Sequence, residues 1–289
     1  MKLFAWGLGY VAGRFHELTD NIELSGTSRT IESVTDWRGR GVRAHLFGDP
    51  GNQELIDDAA RADVWLCSVP PVNGRDPVVD YCIQARLHPA AFTIYLSATS
   101  VYGGNDGGFR DEFAPSDGTS PRGLARKTAE GEWSYLCGAA GRRLGVMRLS
   151  GIYGPSRNAL QRVAAGQAFS AFLPGQVTSR IHVDDIVSGI HQICAGAGVV
   201  GVFNMADDYA APSAVVNDYA AQLLGMPALE KLPPDDPRLG PAVASFMAAN
   251  RRIYGRRLRE DLGWSPQYPS FKEGLEACLD ADMVKTPNQ

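Results

Sequence analysis

Short apolar runs recur along the first half of the chain, and stretches of helical length separate them. Runs that are apolar on both faces predict five central strands, at residues 3–6, 22–26, 64–69, 92–96 and 144–149. Between them, residues 53–60 and 77–86 place apolar side chains at helical spacing. This alternation predicts βαβ units with right-handed crossovers, and therefore an α/β fold built on a doubly wound parallel sheet.

A glycine-rich motif follows the first predicted strand directly. Residues 7–13 fit the pattern G-x-G-x-x-A, with Gly7, Gly9 and Ala12 at its fixed positions. Gly7 permits a tight strand-to-helix turn, Gly9 has no side chain that would block a pyrophosphate, and Ala12 lets the helix pack against the strand. The alternative is an ordinary glycine turn. Because the motif lies between a strand and a helix, we favour a dinucleotide site with its phosphates at the helix N-terminus.

The second half of the chain has a looser pattern, in which prolines punctuate shorter elements after about Gly154. We predict a Rossmann-type NAD(P)-binding domain over residues 1–154 and a mixed segment over residues 155–289 that includes a smaller C-terminal substrate-binding lobe. Residues 186–202 are typical of a buried helix that runs into a strand. Residues 181–206 are therefore expected to return to the Rossmann sheet.

The end of the second strand bears on the choice of cofactor. An NAD-selective site usually has an acidic residue there, which holds the ribose 2′-hydroxyl. Here hydroxyl residues, Ser28 among them, are followed by Arg29, whose guanidinium can bind a 2′-phosphate. We therefore predict NADP, with NAD as the second choice; a solvated arginine is the alternative. Asp49 is placed to accept a hydrogen bond from the adenine amino group, unless it only caps a helix.

Composition argues against several classes of protein. Charged residues make up 21% of the 289 residues and the formal net charge is −4, so no basic field attracts nucleic acid or an anionic membrane. The apolar runs are too short for a transmembrane helix or a signal-peptide core. Five scattered cysteines without Cys-x-x-Cys spacing predict reduced thiols in a cytoplasmic protein. No cluster of histidines and cysteines has metal-ligand spacing, so no metal site is predicted.

Three further segments carry a family resemblance: YLSATSVYG at 95–103, RLSGIYGP at 148–155 and RIHVDD at 180–185. With the glycine motif, and in this order, they resemble the extended short-chain dehydrogenase/reductases, which include NAD-dependent sugar epimerases and dehydratases. The resemblance spans nearly the whole chain. It implies a small-molecule substrate, with phosphorylated and nucleotide-linked compounds among the candidates, and a homodimer formed through helices that include residues 122–138.

The residues that perform catalysis in that family are replaced here. Family members have a Ser or Thr three residues before the Val-Tyr-Gly, and a Tyr-x-x-x-Lys pair on the next helix. Counting from Val101 and from Glu130 places Ala98, Arg122 and Arg126 at these positions. An arginine stays protonated at neutral pH and cannot exchange a proton as the tyrosine does. The chain therefore resembles the atypical short-chain dehydrogenase/reductases, which keep the fold and the nucleotide site.

Several residues are candidates for contacts with ligands. The resemblance implies cofactor contacts by Gly7, Gly9, Tyr10, Val11, Ala12, Ser28, Arg29, Asp49, Ser68, Val69, Pro70, Ser97 and Arg126. Candidates to replace the missing acid are Thr99, Tyr102 and His182, each of which could instead be structural. Predicted substrate contacts are Tyr102, Arg157 and Arg180.

Arg180 also has a structural alternative, which is an ion pair with Asp184 or Asp185. These two aspartates are expected to cap a helix that begins near Ile186.

Two hypotheses on function remain open from the sequence. The first is an NADP(H)-preferring oxidoreductase or epimerase-like enzyme, because the nucleotide motif is accompanied by a full-length substrate lobe. The second is a sensor or partner-binding protein that binds NADP(H) without turnover, because Ala98, Arg122 and Arg126 replace the catalytic triad.

Overall fold

The computed structural model describes residues 1–104, 106–196, 200–239 and 249–284. Within these ranges the strands are β1 (Lys2–Trp6), β2 (Glu23–Ser28), β3 (Arg43–Leu46), β4 (Val64–Cys67), β5 (Phe92–Ala98), β6 (Phe109–Arg110), β7 (Arg143–Leu149), β8 (Gly151–Tyr153), β9 (Phe169–Ala171), β10 (Arg180–His182), β11 (Gly201–Met205), β12 (Glu230–Leu232) and β13 (Arg252–Ile253). The helices are α1 (Tyr10–Leu18), α2 (Ile31–Gly39), α3 (Gln53–Ala60), α4 (Pro77–Ala85), α5 (Pro121–Ala139), α6 (Ala159–Ala164), α7 (Val183–Ala195), α8 (Ser213–Leu223), α9 (Arg256–Glu260) and α10 (Phe271–Val284).

The largest sheet in the described part of the chain has seven strands, in the order β11-β7-β5-β4-β1-β2-β3. The pairings of β1 with β2 and β4, of β2 with β3 and of β4 with β5 are parallel. Helices connect these strands along the chain, as parallel pairing requires. The predicted α/β class with a doubly wound parallel sheet is confirmed, and β1 lies in the interior of the sheet.

The second strand differs from its prediction at its carboxyl end. Residues 22–26 were expected from the apolar pattern alone, whereas β2 continues through two buried hydroxyl residues to Ser28. Hydrogen bonds satisfy these hydroxyls, so their burial costs little. Gly26 lies in the middle of the strand, where a Cβ would overlap the Ala5 carbonyl oxygen of β1. The two strands therefore need a glycine at this position.

The fourth strand ends two residues earlier than the apolar pattern predicts. It was expected to reach residue 69, but β4 stops at Cys67, and Ser68 and Val69 lie in the loop that leads to Pro70. Two consecutive prolines follow, and proline has no N–H to donate to a neighbouring strand. The side chains after Cys67 thus belong to the connection at the carboxyl edge of the sheet.

Contacts divide the described chain into two units, each with its own core. The first consists of Met1–Val101, Ser116–Arg148 and Val187–Phe203, and the second of Tyr102–Pro115, Leu149–Ile186 and the residues after Phe203. In the first unit, Trp6, Trp65 and Trp133 are fully buried within one apolar cluster. In the second, apolar side chains of α6, α8 and α10 pack around Phe271.

The structure bears on two of the predictions from composition. All five cysteines are free thiols, and burial raises the pKa of the Cys82 and Cys137 thiols, the latter to about 11. These thiols stay protonated and unreactive at neutral pH. Across the described ranges, no helix has both the length and the apolar character needed to cross a bilayer.

Candidate functional site

The turn after β1 is shaped for glycine. Gly7 has φ of +98°, a backbone conformation that residues with a Cβ avoid. A Cβ on Gly7 would also lie 2.7 Å from Ser68 Oγ. Ser68 Oγ donates to the Gly7 carbonyl oxygen at 3.0 Å, so the hydroxyl after β4 fixes the glycine turn. Val69 flanks the same turn. The predicted neighbours of the cofactor at residues 7, 68 and 69 thus lie together.

Two more side chains hold the glycine turn in place. Thr27 Oγ1 accepts a hydrogen bond from the Gly7 amide at 3.1 Å, and the Thr27 carbonyl oxygen accepts one from the Leu8 amide at 2.7 Å. On the other side, Trp37 Nε1 donates to the Leu8 carbonyl oxygen at 3.1 Å. With these contacts the backbone of the turn is organised before any ligand binds, which lowers the entropy cost of binding.

Gly9 faces open space at the N-terminus of α1. A Cβ built on Gly9 has no neighbour within 4 Å, although the backbone there is ordinary extended chain. As the N-cap of α1, Gly9 supplies no side-chain hydrogen bond, and the first turn of α1 contains no acidic residue. The positive end of this nine-residue helix is therefore not offset by a carboxylate of its own. Behind it, Val11 and Ala12 are buried against the sheet while Tyr10 is half-buried.

At the end of β2, the hydroxyls and the arginine have different surroundings. Ser28 is buried, and its Oγ accepts a hydrogen bond from Ser33 Oγ at 3.1 Å. Thr30 caps α2 by accepting from the Ser33 amide. The Arg29 side chain, between them, is exposed to solvent. Of the two residues predicted to contact a 2′-phosphate, Arg29 is the accessible one.

Asp49 is engaged with its own loop. Its Oδ1 accepts a hydrogen bond from the Gly51 amide at 2.8 Å, and its carbonyl oxygen accepts one from Tyr81 Oη. An aspartate that bonds the backbone two residues on is typical of a turn. The structure thus gives Asp49 a turn-forming role, close to the alternative of a capping residue.

The positions of the family's catalytic residues lie on β5 and α5. Arg126 Nη1 donates to Tyr95 Oη at 2.9 Å and to the Leu96 carbonyl oxygen at 3.0 Å. Arg122, one turn earlier on α5, is exposed, and Ala98 is half-buried at the end of β5. The guanidinium of Arg126 is thus held against β5, and burial raises the pKa of the Tyr95 phenol well above its usual range.

Next to these positions, a buried ion pair connects α5 with β7. Arg148 donates to Glu130 through Nη2 at 2.7 Å and through Nε at 3.0 Å. Ser97 Oγ donates to Glu130 Oε1 at 2.6 Å. The Ser97 hydroxyl, predicted to contact cofactor, is thus bonded to a protein carboxylate. Two parallel N–H bonds to one carboxylate form the strongest kind of ion pair in proteins.

Two of the candidates for the missing acid are buried and have partners within the protein. Tyr102 is only 1% exposed, and its Oη donates to Asn204 Oδ1 at 2.9 Å. His182 is equally buried; its Nδ1 accepts from the Asp184 amide and its Nε2 lies 3.6 Å from Cys278 Sγ. Because both side chains are buried, the structure favours a structural role for each, and the contact of Tyr102 with substrate and the proton exchange by either residue stay predictions. Thr99, in a half-buried 3-10 turn, remains a candidate.

The second unit contains a cavity of about 370 Å³ that we call the arginine cavity. Three arginines line it, together with Thr178 and Ser179 just before β10, Ser213 of α8 and apolar residues of α10. Arg157 and Arg162 have exposed side chains, whereas Arg180 is half-buried at the start of β10. The structure therefore brings the two predicted substrate arginines, Arg157 and Arg180, to one cavity and adds Arg162.

Arg180 is anchored by the backbone. Its Nη1 donates to the carbonyl oxygens of Thr178 and Ala211, both at 2.9 Å, and its Nη2 donates to Ser213 Oγ at 3.1 Å. Burial lowers the pKa of the Arg180 guanidinium to about 10, so the group is charged at neutral pH. The described partners of the Arg180 guanidinium are these three groups and not Asp184 or Asp185, which the alternative ion pair would require.

Asp185 does not cap a helix, contrary to expectation. α7 begins at Val183, three residues before the predicted start, so Asp184 and Asp185 lie within its first turn. Asp185 accepts hydrogen bonds from the backbone amides of Gln267 at 2.6 Å and Tyr268 at 3.3 Å. Its carboxylate thus holds the loop before α10, and burial raises its pKa to about 6.

Sequence reasoning missed residues that only the tertiary fold brings to the arginine cavity. Arg162 comes from α6 and Ser213 from the start of α8, and no motif marks either of them. Thr27 and Trp37 were likewise missed at the glycine turn. In the described ranges no group of histidine, cysteine and acidic side chains is arranged to bind a metal ion.

No protein-family model matches the chain. A curated enzyme, the 3-diazoavenalumate denitrifying reductase of a Streptomyces species, is 31% identical over 175 residues, which are 57% of this chain and 57% of that enzyme. The matched stretch therefore spans little more than half the length of the reductase.

Solved structures match over nearly the whole chain. A functionally unknown conserved protein from Silicibacter pomeroyi is 33% identical, with 97% of this chain and 98% of that chain covered and a TM-score of 0.86. The UDP-glucuronic acid 4-epimerase from Bacillus cereus, in complex with NAD, is 16% identical, with 98% and 99% covered and a TM-score of 0.77. The dTDP-glucose 4,6-dehydratase from Bacillus anthracis, in complex with NAD, is 17% identical, with 99% and 97% covered and a TM-score of 0.72. These last two share the fold.

Proposed function

We propose that this chain is an atypical member of the short-chain dehydrogenase/reductase family, and that it is a reductase that uses a nicotinamide dinucleotide and prefers NADP(H). The open space in front of Gly9, at the uncapped end of α1, is the observation that supports a bound pyrophosphate. The solved relatives from the two Bacillus species are complexes with NAD. The 31% identical relative is a reductase.

The residues present fit such a cofactor. The glycine turn, held by Thr27, Ser68 and Trp37, would accept the pyrophosphate, and the exposed Arg29 would bind a 2′-phosphate through its guanidinium. When bound, a reduced nicotinamide supplies a hydride ion. The chain's own contribution is to bind and orient it.

The replaced triad restricts the reaction. Hydride addition to a neutral carbonyl leaves an alkoxide, which needs a proton from a general acid. Arg122 stands where the family has its tyrosine acid, and a guanidinium keeps its proton. Of the tyrosines nearest in sequence to the family motifs, Tyr95, Tyr102 and Tyr153 are at least nine-tenths buried. Their Oη atoms hydrogen-bond to Arg126, to Asn204 and to the Ser270 carbonyl oxygen, so we propose that none of them supplies the proton to a substrate.

We therefore propose that the substrate is an electrophile that becomes neutral on receiving hydride. A diazonium ion meets this requirement: a C–H bond forms, the C–N bond breaks, dinitrogen leaves, and the hydride brings both electrons. No proton from the protein is needed. The name of the Streptomyces relative, a denitrifying reductase of a diazo compound, describes a reaction of this kind in that enzyme. An iminium ion would meet the same requirement, because hydride addition to its carbon gives a neutral amine without a proton from the protein.

The preference for NADP(H) is tested by the Arg29→Asp variant. The carboxylate would repel a 2′-phosphate and accept from a ribose 2′-hydroxyl, so we expect the ratio of NADPH to NADH affinity to fall about tenfold or more. Calorimetric titration of both proteins with NADPH, NADP, NADH and NAD measures this ratio. Because Arg29 is exposed, the variant should fold as the parent does. An unchanged ratio would mean that the 2′-phosphate is recognised elsewhere, and a parent that binds none of the four would refute the proposed function.

A further inference from the structure

We propose that the arginine cavity binds the carboxylate of a substrate that has an apolar, aromatic-sized body. This inference deepens the proposed function and rests on it, because it names the class of molecule that the reductase would act on. It is carried by the arginines of the cavity, by the Arg180 N–H groups that have no described acceptor and by the apolar residues of the same lining.

The charge of the cavity favours an anion. Arg157, Arg162 and Arg180 line it, and the described residues of its lining include no carboxylate. Asp207 influences Arg180 from outside the lining. A lining with three guanidinium groups and no carboxylate is suited to an anion.

The hydrogen bonds of Arg180 determine which anion fits. Of its five N–H groups, both on Nη1 and one on Nη2 donate to Thr178, Ala211 and Ser213. No described hydrogen bond uses the Nε–H, and Nη2, which lies on the same edge of the guanidinium, has two N–H groups and one described acceptor. Two parallel donors match the two oxygens of a single carboxylate.

The rest of the cavity suits a hydrocarbon body. Buried side chains of Val216, Phe271 and Leu275 line it beside the ring of Tyr153. A volume of about 370 Å³ has room for a carboxylate with one aromatic ring. A diphosphate would require donors for many more oxygens, and Arg162 already donates to the Asn158 carbonyl oxygen and to Asn217 Oδ1. The geometry therefore favours a carboxylate over a nucleoside diphosphate.

Calorimetric titration with trans-cinnamate and with the matched neutral amide, cinnamamide, tests the proposal. The full-length protein is titrated with and without saturating NADPH, and UDP and inorganic pyrophosphate are titrated in parallel. We expect cinnamate to bind about tenfold or more tightly than cinnamamide, since the amide has the same hydrocarbon body but lacks the charge and the second acceptor oxygen that the arginines would recognise.

Two substitutions locate the binding. Arg157→Gln should weaken cinnamate binding about tenfold and leave cinnamamide unaffected. Arg180→Lys keeps the charge but loses the paired donors, so it should also weaken the binding of cinnamate. Because Arg180 also bonds the backbone, this variant could be unstable, and Arg157→Gln then serves as the test. Arg61→Gln, in the first unit, replaces an exposed guanidinium that pairs with the buried Asp58; it is the control and should bind cinnamate as the parent does.

Three results would overturn the proposal. Equal affinity for cinnamate and cinnamamide would show that the protein does not recognise the carboxylate. Tighter binding of UDP or pyrophosphate than of cinnamate would show that the cavity is a diphosphate site. Cinnamate binding that survives both cavity substitutions would place the ligand elsewhere. The NADPH titration distinguishes failure of this inference from failure of the proposed function. If NADPH binds and cinnamate does not, only the assignment of the cavity is refuted. If the protein binds neither, the proposed function is refuted as well.

Discussion

The Gly9→Val variant should fold normally and lose affinity for NADPH by about a hundredfold or more. A valine fits the extended backbone of Gly9, and apart from its chain neighbours its Cβ would meet nothing within 4 Å, so we expect the fold to be unchanged. The same space is where we place the pyrophosphate, and a branched side chain would fill it. Calorimetric titration with NADPH gives the loss, and thermal unfolding checks the fold.

Gly39→Val is the matched control for this variant. Gly39 also has open space where its Cβ would lie, but at the end of α2 and outside the glycine motif. We expect its NADPH affinity to equal that of the parent. If Gly9→Val also kept the parent's affinity for NADPH, the glycine motif would be an ordinary turn and not the site of the pyrophosphate.

The second large effect is expected on stability. Arg148→Met should lower the free energy of unfolding by about 3–5 kcal/mol, because it leaves the Glu130 carboxylate buried without its cation. Glu130 and Arg148 have side chains that are only 11% and 7% exposed, and two hydrogen bonds join them. Urea unfolding of the variant and the parent measures the difference.

An exposed pair and a double variant accompany that measurement. Arg75 pairs with Asp80 in the same unit, but its side chain is 61% exposed, so Arg75→Met should cost less than about 1 kcal/mol. Replacing Glu130 by Leu together with Arg148→Met removes both charges and should recover part of the loss. An Arg148→Met variant as stable as Arg75→Met would show that the buried pair does not link α5 to β7.

The fold was predictable because the central strands carry their own signal. β1, β5 and β7 are buried on both faces, so their apolar runs stand out from the helical spacing between them. β2 was harder to delimit because its buried end consists of Thr27 and Ser28, whose hydroxyls are satisfied by partners that the sequence does not reveal. The glycine motif was visible because backbone geometry at Gly7 restricts the residue type.

Side-chain roles were less predictable than side-chain positions. Tyr102 and His182 lie in motifs that the resemblance marks as functional, but both are buried, and local sequence does not reveal burial against distant segments. Arg180 was correctly associated with Arg157, yet its pairing depended on Ala211 and Ser213, more than thirty residues away. Arg162 reaches the same cavity from α6, a juxtaposition that no spacing along the chain could predict.

The most direct test of the proposed chemistry compares two substrates that share a carboxylate and a ring: 4-carboxybenzenediazonium and 4-carboxybenzaldehyde. NADPH oxidation is followed by absorbance, products are identified by mass spectrometry, and Gly9→Val supplies the background rate. We expect the diazonium ion to yield benzoate and dinitrogen at least about a hundredfold faster than the aldehyde yields its alcohol, because only the aldehyde needs a proton from the protein. Equal turnover of the aldehyde would reveal a general acid and contradict the proposed chemistry, and NADPH binding without turnover of either compound would favour a sensor.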